Sequence, residues 1–397
     1  MNIITLGNYY FKSFKDWLPS IKGSEYPIDI INMPFNSHVT LQAYQPDMED
    51  EGGEVIGTPV GKTSANENNR FQYTIFMPRR KKKADRLILL LHGLNEKNWK
   101  KYFAWAHTLT EELDCPVILF PMAYHINRAP GEWSQPRLMQ TLSQWQLARN
   151  TEIHESSFIN AALSYRMSTY PQQFSISGYQ SALDITELLG DIRSGRNPYF
   201  KEDTHIDIFA YSIGALLAQV LLIANPNNLF NDTNTFLFCG GSAFEDMNGS
   251  SKLIMDSQAF DKLYSFYTRE LTDELKKNAV YASMLNGTGL GIAFQSMLGE
   301  NSHKEIREDV FNHLAPRIKA VALEQDKVIP ADKIARTLKG PDNKRPVDVE
   351  ILDFPYKYSH ENPFPVGKAE EAELVNKSFD EVFDRAAGFF SRPKAHC

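Results

Sequence analysis

The amino-acid sequence predicts an α/β fold: a mostly parallel central sheet, covered by helices on both faces and carrying two insertions. Three observations predict it. Short runs that are apolar or nearly so recur at 86–91, 116–120, 206–210, 235–239 and 319–323, and strands that read this way are buried on both faces. Stretches with helical spacing separate them, as in the strand–helix–strand units that build a parallel sheet. Residues able to do chemistry follow these runs rather than precede them, and in open α/β sheets ligands bind beyond the carboxyl ends of the strands.

Residues 1–35 mix aromatic and polar side chains with Pro and read as helix and loop packed on the core. With a first alternating strand at 38–44 they make an N-terminal extension over 1–70, ahead of a main domain over 71–397. Gly, Asn and Glu enrichment at 50–69 suits a loop, and 71–76 alternates as the next strand. The run 86–91 ends in His92-Gly93-Leu94-Asn95, after which 99–113 has helical spacing and 116–120 is again a strand. The segment 124–180, rich in Asn, Arg, Trp, Ser and Met and broken by Pro130, Pro136 and Pro171, is the first insertion. A helix at 184–192 leads to the turn Ser194-Gly195-Arg196-Asn197-Pro198. The strand 235–239 runs into Gly240-Gly241-Ser242, and the second insertion, 243–315, is mostly helical, with Phe260, Leu263, Tyr264, Tyr267, Leu271 and Leu275 near one face. Strands at 319–323 and 347–352 and an amphipathic helix at 379–390 close the chain. The two insertions are expected to form a cap or lid.

Composition narrows the function classes. With 397 residues, 42% hydrophobic and 23% charged, the chain is that of an ordinary globular protein with a large core. A formal net charge of −7 disfavours nucleic acid and anionic membranes as partners. The basic run Arg79-Arg80-Lys81-Lys82-Lys83 falls between two predicted strands and reads as a solvated turn. Three scattered cysteines (Cys115, Cys239, Cys397) give neither a disulfide framework nor a metal spacing. Neither a signal-peptide pattern nor an apolar run of spanning length is present, so a cytoplasmic location without membrane insertion is expected. Neither metal nor cofactor is expected, and nothing fixes the oligomeric state.

The chemistry concentrates around Ala210-Tyr211-Ser212-Ile213-Gly214, where an apolar strand breaks at small residues and an Ala-rich helical pattern follows at once. A serine on so tight a strand-to-helix turn has a strained backbone, and the positions two before and two after it must be small for strand and helix to approach. The turn lifts the hydroxyl above the sheet and sets its neighbour's N–H at a helix N-terminus, where developing negative charge is favoured. Asp326 follows the strand 319–323, and His360 follows the last strand. A serine hydroxyl is a poor nucleophile near pH 7 unless an imidazole takes its proton, and the imidazole needs a carboxylate to fix its tautomer.

In the order Ser212, Asp326, His360, with His92-Gly93 after an early strand and Asp326-x-Val328-Ile329-Pro330 after a late one, the chain resembles an α/β-hydrolase over residues 70–390. Within that superfamily it is similar to a bacterial group without an established function, on the runs His92-Gly93-Leu94-Asn95-Glu96, Asn127-Arg128-Ala129-Pro130 and Phe238-Cys239-Gly240-Gly241-Ser242. The resemblance implies an α/β-hydrolase fold with Ser212 as nucleophile, His360 as base, Asp326 as acid, and the N–H groups of Ile213 and Leu94 as an oxyanion hole. His92 is expected to orient the oxyanion loop. Ala210 stands where Gly is commoner. The implied function is a serine hydrolase acting on a small-molecule acyl substrate, an ester, thioester or amide, through an acyl-enzyme, with ester hydrolysis the first expectation. The same triad could serve an acyltransferase, and a non-catalytic binding protein on the same scaffold is the third class. Asn95, Arg128, Trp133 and Tyr211 are the candidates to contact substrate. Three of them have a plainer reading: a helix cap for Asn95, a structural salt bridge for Arg128, and lid-core packing for Trp133.

Overall fold

The computed structural model describes residues 3–14, 18–22, 25–39, 65–300, 303–365 and 369–392. Among these, one sheet of nine strands organises the chain: β1 (Ser20–Lys22), β2 (Ile28–Asn36), β3 (Arg70–Pro78), β4 (Ala84–Leu91), β5 (Val117–Leu119), β6 (Phe200–Tyr211), β7 (Thr235–Phe238), β8 (Ile318–Leu323) and β9 (Asp348–Leu352). The spatial order is β1-β2-β3-β5-β4-β6-β7-β8-β9. β1, β2 and β3 pair antiparallel, as does β3 with β5, whereas β5, β4, β6, β7, β8 and β9 are all parallel. The parallel block therefore sends every strand's carboxyl end to one edge. This is the α/β-hydrolase fold.

The alternation of side chains along β4 and β6 divides the core. Leu87, Leu89, Leu91, Ile206, Ile208 and Ala210 face the helices Gln172–Arg193 and Ile213–Ala224. Ile88, Leu90, Phe209 and Tyr211 face the helices Lys100–Leu113 and Ala372–Phe390 on the other side. A third apolar cluster joins the two insertions above the carboxyl edge: Leu163, Met167 and Ile176 pack with Phe244, Leu263, Tyr267, Tyr281 and Leu285. No helix among the described residues is long and apolar enough to cross a membrane.

Several boundaries differ from the sequence reading. β1 and β2 lie inside the segment expected to be helix and loop, although a helix, Ile3–Ser13, is present. Pro34 argued against a strand there. It is tolerated because β1 pairs β2 only up to Ile31, so the edge beyond needs no N–H from Pro34. Of the strand expected at 38–44, His38 and Val39 are irregular and 40–44 lie outside the described residues, as does 50–64 of the expected loop; Ala65–Asn69 is a short helix. Pro171 and Pro136 start helices rather than break them. Pro171 is the N-cap of Gln172–Arg193, which begins well before 184, and Pro136 occupies the first turn of Pro136–Arg149. A helix's first residues have no intrahelical acceptor, so proline's missing N–H costs nothing there. Arg79, Arg80 and Lys81 form the expected turn, pairing with Asp29 and Asp114. Cys115 and Cys239 are buried and free; Cys397 lies outside the described residues.

Candidate active site

β6 ends at Tyr211, the helix Ile213–Ala224 begins two residues on, and Ser212 between them has φ 58° and ψ −124°. That positive φ is the strain a strand-to-helix elbow imposes on a non-glycine residue. Small neighbours make the turn possible. A Cβ on Gly214 would lie 2.7 Å from the Leu91 carbonyl oxygen, and Ala210 is fully buried. The same requirement extends to a residue the sequence reading did not connect with the serine. A Cβ on Gly240 would come 2.6 Å from that of Ala215 and 2.8 Å from the Ser212 carbonyl oxygen. Its signal was in view, since Gly240-Gly241 follows β7 at the same sheet edge. The Ser212 N–H donates to the Phe238 carbonyl at 3.1 Å, which ties the elbow to β7.

Ser212, His360 and Asp326, far apart in sequence, are brought into one hydrogen-bonded line. Ser212 Oγ lies 2.6 Å from His360 Nε2, and His360 Nδ1 lies 2.7 Å from Asp326 Oδ2. The other carboxylate oxygen of Asp326 accepts the backbone N–H groups of Val328 and Ile329, both at 2.9 Å. An ionised carboxylate only accepts, so Nδ1 carries the ring proton and Nε2 turns a lone pair toward the serine hydroxyl. All three residues are at most 5% exposed. Asp353, another carboxylate beyond the last strand, takes hydrogen bonds from Gln325 and the Tyr358 hydroxyl. Asp332 sits in the helix Ala331–Lys339 beside Lys333.

Tyr211 acts on the histidine from below. Its ring stacks on the imidazole, 5.8 Å away and 17° from parallel, and its hydroxyl donates to the His360 carbonyl oxygen. Burial pushes the phenol well above its ordinary range, so it remains a donor. On the opposite side, Ile213 opens its helix and Leu94 follows Gly93 just beyond β4. His92 braces this loop. Its Nε2 accepts the Met122 N–H at 2.9 Å, which leaves Nδ1 to donate to the Gly93 carbonyl oxygen at 2.8 Å. Complete burial lowers its pKa to about 4 and keeps it neutral. The Gly93 N–H donates to the Tyr102 hydroxyl, which donates to Glu96; Glu96 pairs with Lys101, whose ammonium donates to the Glu361 carbonyl oxygen. The loop after β4 and the loop bearing His360 are thereby cross-braced.

Two apolar cavities meet at this point. The larger spans about 670 Å³ and the smaller, which includes Ser212, about 400 Å³, both counted with space open to solvent; Leu94, Phe174 and Ile213 are walls of both. None of the four residues expected to contact substrate lines either cavity. Asn95 donates its amide to the carbonyls of Ile159, at 3.2 Å, and Leu253, at 2.8 Å, one in each insertion. Arg128 is fully buried. Its guanidinium pairs with Asp184 at 2.7 Å, donates to the Asn68 and Pro121 carbonyls, and lies over the Phe71 ring. A guanidinium so enclosed has no face to offer a substrate anion. Trp133 is buried against the Arg166 guanidinium, and Tyr211 lies beneath His360. The cavity walls come instead from Phe174, Met255, Phe294 and their neighbours, whose spacing within the insertions fits plain helix packing equally well.

Residues 32–391 match the model of a family described as a family of unknown function (DUF6051). A search of curated proteins finds no match in sequence. Among solved structures, the chain is similar to carboxyl esterase 2 from the mycorrhizal fungus Tuber melanosporum, at 11% identity and TM-score 0.43, over 81% of this chain and 82% of that one. It is also similar to a peroxisomal α/β-hydrolase from Saccharomyces cerevisiae, at 10% identity and TM-score 0.41, over 94% and 92% of the two chains. A third is the esterase LipW from Mycobacterium marinum, at 12% identity and TM-score 0.41, over 82% and 79%.

Proposed function

For a chain that belongs to this family of unknown function, we propose, from the site itself, a serine hydrolase that cleaves a carboxylic ester through a covalent acyl-enzyme. The observation that carries the reading is the continuous line from Ser212 Oγ to His360 to Asp326, with contacts of 2.6 and 2.7 Å. As Ser212 Oγ attacks the carbonyl carbon, its proton passes to His360 Nε2. Asp326 holds the ring in the required tautomer and stabilises the imidazolium. The carbonyl oxygen, now negative, takes hydrogen bonds from the N–H groups of Ile213 and Leu94; losing one such donor raises a barrier by about 2.7–4 kcal/mol. The imidazolium then protonates the departing alkoxide. Water, activated by the same histidine, next attacks the acyl-serine, releasing the acid and restoring the hydroxyl. The two insertions form a cap that keeps bulk water from the oxyanion, which strengthens each of these interactions. No step calls for a metal or cofactor.

Intact-mass analysis after incubation with a fluorophosphonate tests this directly. One adduct is expected on the wild type and none on Ser212→Ala. Folded wild-type protein that takes no adduct at any pH between 6 and 9 would remove the proposal. p-Nitrophenyl esters of graded chain length would then give turnover, and an added alcohol that captures the acyl group in place of water would redirect the assignment to acyl transfer.

A further inference from the structure

The larger cavity is mostly apolar, and Ser175, Ser177, Tyr179, Ser181 and His125 bring the polar side chains to its wall. Three serines on its wall have their hydroxyls occupied: Ser175 bonds the Gln172 carbonyl and the Tyr281 hydroxyl, Ser177 bonds the Gln173 carbonyl, and Ser181 bonds the Ser177 carbonyl while accepting the Ala123 N–H. His125, on the same wall, differs. Its Nδ1 lies 2.9 Å from the Ala123 carbonyl oxygen and must be the protonated nitrogen, so Nε2 bears a lone pair. Among the described residues no donor meets that lone pair, and the ring is part of the cavity wall. Burial, with the neighbouring His92 ring and the Lys97 and Arg166 cations, depresses the pKa of His125 and keeps it neutral. The cavity thus has a hydrogen-bond acceptor on its wall, and among the described residues no cation lines it to receive an anionic group.

We infer that the larger cavity receives an apolar arm of the substrate that carries a hydroxyl group, which donates to His125 Nε2. This rests on the proposed ester hydrolysis and narrows it to esters of hydroxylated aliphatic chains. An apolar chain without the hydroxyl leaves the acceptor unpaired, and an unmade hydrogen bond in an apolar pocket discriminates more strongly than a missing methylene. A carboxylate-tipped chain would put its negative charge against the same lone pair.

The test compares p-nitrophenyl octanoate with its monohydroxylated isomers, the hydroxyl moved along the chain, and with the carboxylate-tipped analogue. For the wild type, one hydroxyl position is expected to raise kcat/KM on the order of tenfold over octanoate, as one neutral hydrogen bond would. In His125→Leu that ratio falls to about one, while His125→Gln, which keeps an acceptor, retains part of it. Equal rates along the series, the same ratio in His125→Leu, or preference for the carboxylate-tipped chain would each overturn the inference. Binding of methyl octanoate and of its best hydroxylated isomer to Ser212→Ala, measured by calorimetry, separates the two claims. If the hydroxylated ester binds more tightly while the wild type takes no fluorophosphonate, the cavity assignment stands and the hydrolase reading falls. If the two esters bind alike while Ser212 is labelled, the reverse holds.

Discussion

At the scale of single residues, the site depends on hydrogen bonds whose direction is fixed by what each group can donate. Asp326 is the clearest case, because two backbone N–H groups hold one oxygen while the other meets His360. Asp326→Asn can keep the backbone bonds, but its NH2 then faces Nδ1 and forces the proton to Nε2. The expected result is a fall in kcat on the order of 10³–10⁴-fold with the fold intact, read by steady-state kinetics beside circular dichroism. His92 makes a different prediction. Its folded pKa, about 4, lies below the ordinary 6.5, so the unfolded chain binds the extra proton first. Its contribution to stability is complete above pH 6.5 and is lost as pH falls from there toward 4. Urea midpoints measured across that window should drop, and the drop should be shallower in His92→Gln. Ser212, Asp326 and His360 were legible in the sequence because each follows a strand and their order is constrained. Gly240 was not connected with the serine, since its demand arises from a contact with a neighbouring strand's helix that no spacing encodes.

At the scale of elements, the buried parallel strands were readable because their apolar runs admit few other interpretations. The N-terminal strands were not: β2 contains a proline, and its tolerance depends on where a neighbouring three-residue strand stops. Helix starts were misplaced for a related reason, as proline ends one helix and opens another with the same residue. The contacts of Asn95 show how an element-level function can hide in a loop residue. Lying beside Leu94, it is the hinge point at which the sheet edge grips both insertions, through the carbonyls of Ile159 and Leu253. Asn95→Ala leaves both acceptors unpaired and should cost about 1–3 kcal/mol. Hydrogen exchange should then quicken in the segments around 159 and 253, with the central strands unchanged; uniform protection would show that the cap does not depend on this grip.

At the scale of the whole molecule, distant parts of the chain are joined by a few enclosed charges. Arg128 and Asp184, both without exposed side-chain surface, fix the first insertion to the long helix Gln172–Arg193. Arg128→Met leaves Asp184 buried with, among the described residues, the Ser37 hydroxyl alone, and should lower stability by about 3–5 kcal/mol. Adding Asp184→Asn should recover part of that loss, and the folded fraction of either variant should still take fluorophosphonate at Ser212. Loss of labelling in folded protein would instead return Arg128 to the substrate. Charge and spacing gave no means of choosing between these roles in the sequence, because an arginine just beyond a strand end suits both. The order of the three site residues has a consequence for biosynthesis. His360 follows Ser212 by 148 positions, so at typical elongation rates roughly 7–30 s separate their synthesis. Throughout that interval the nascent chain carries the serine without its base. If the proposed mechanism holds, the polypeptide on the ribosome has no activated serine until its last strand and histidine loop have been made.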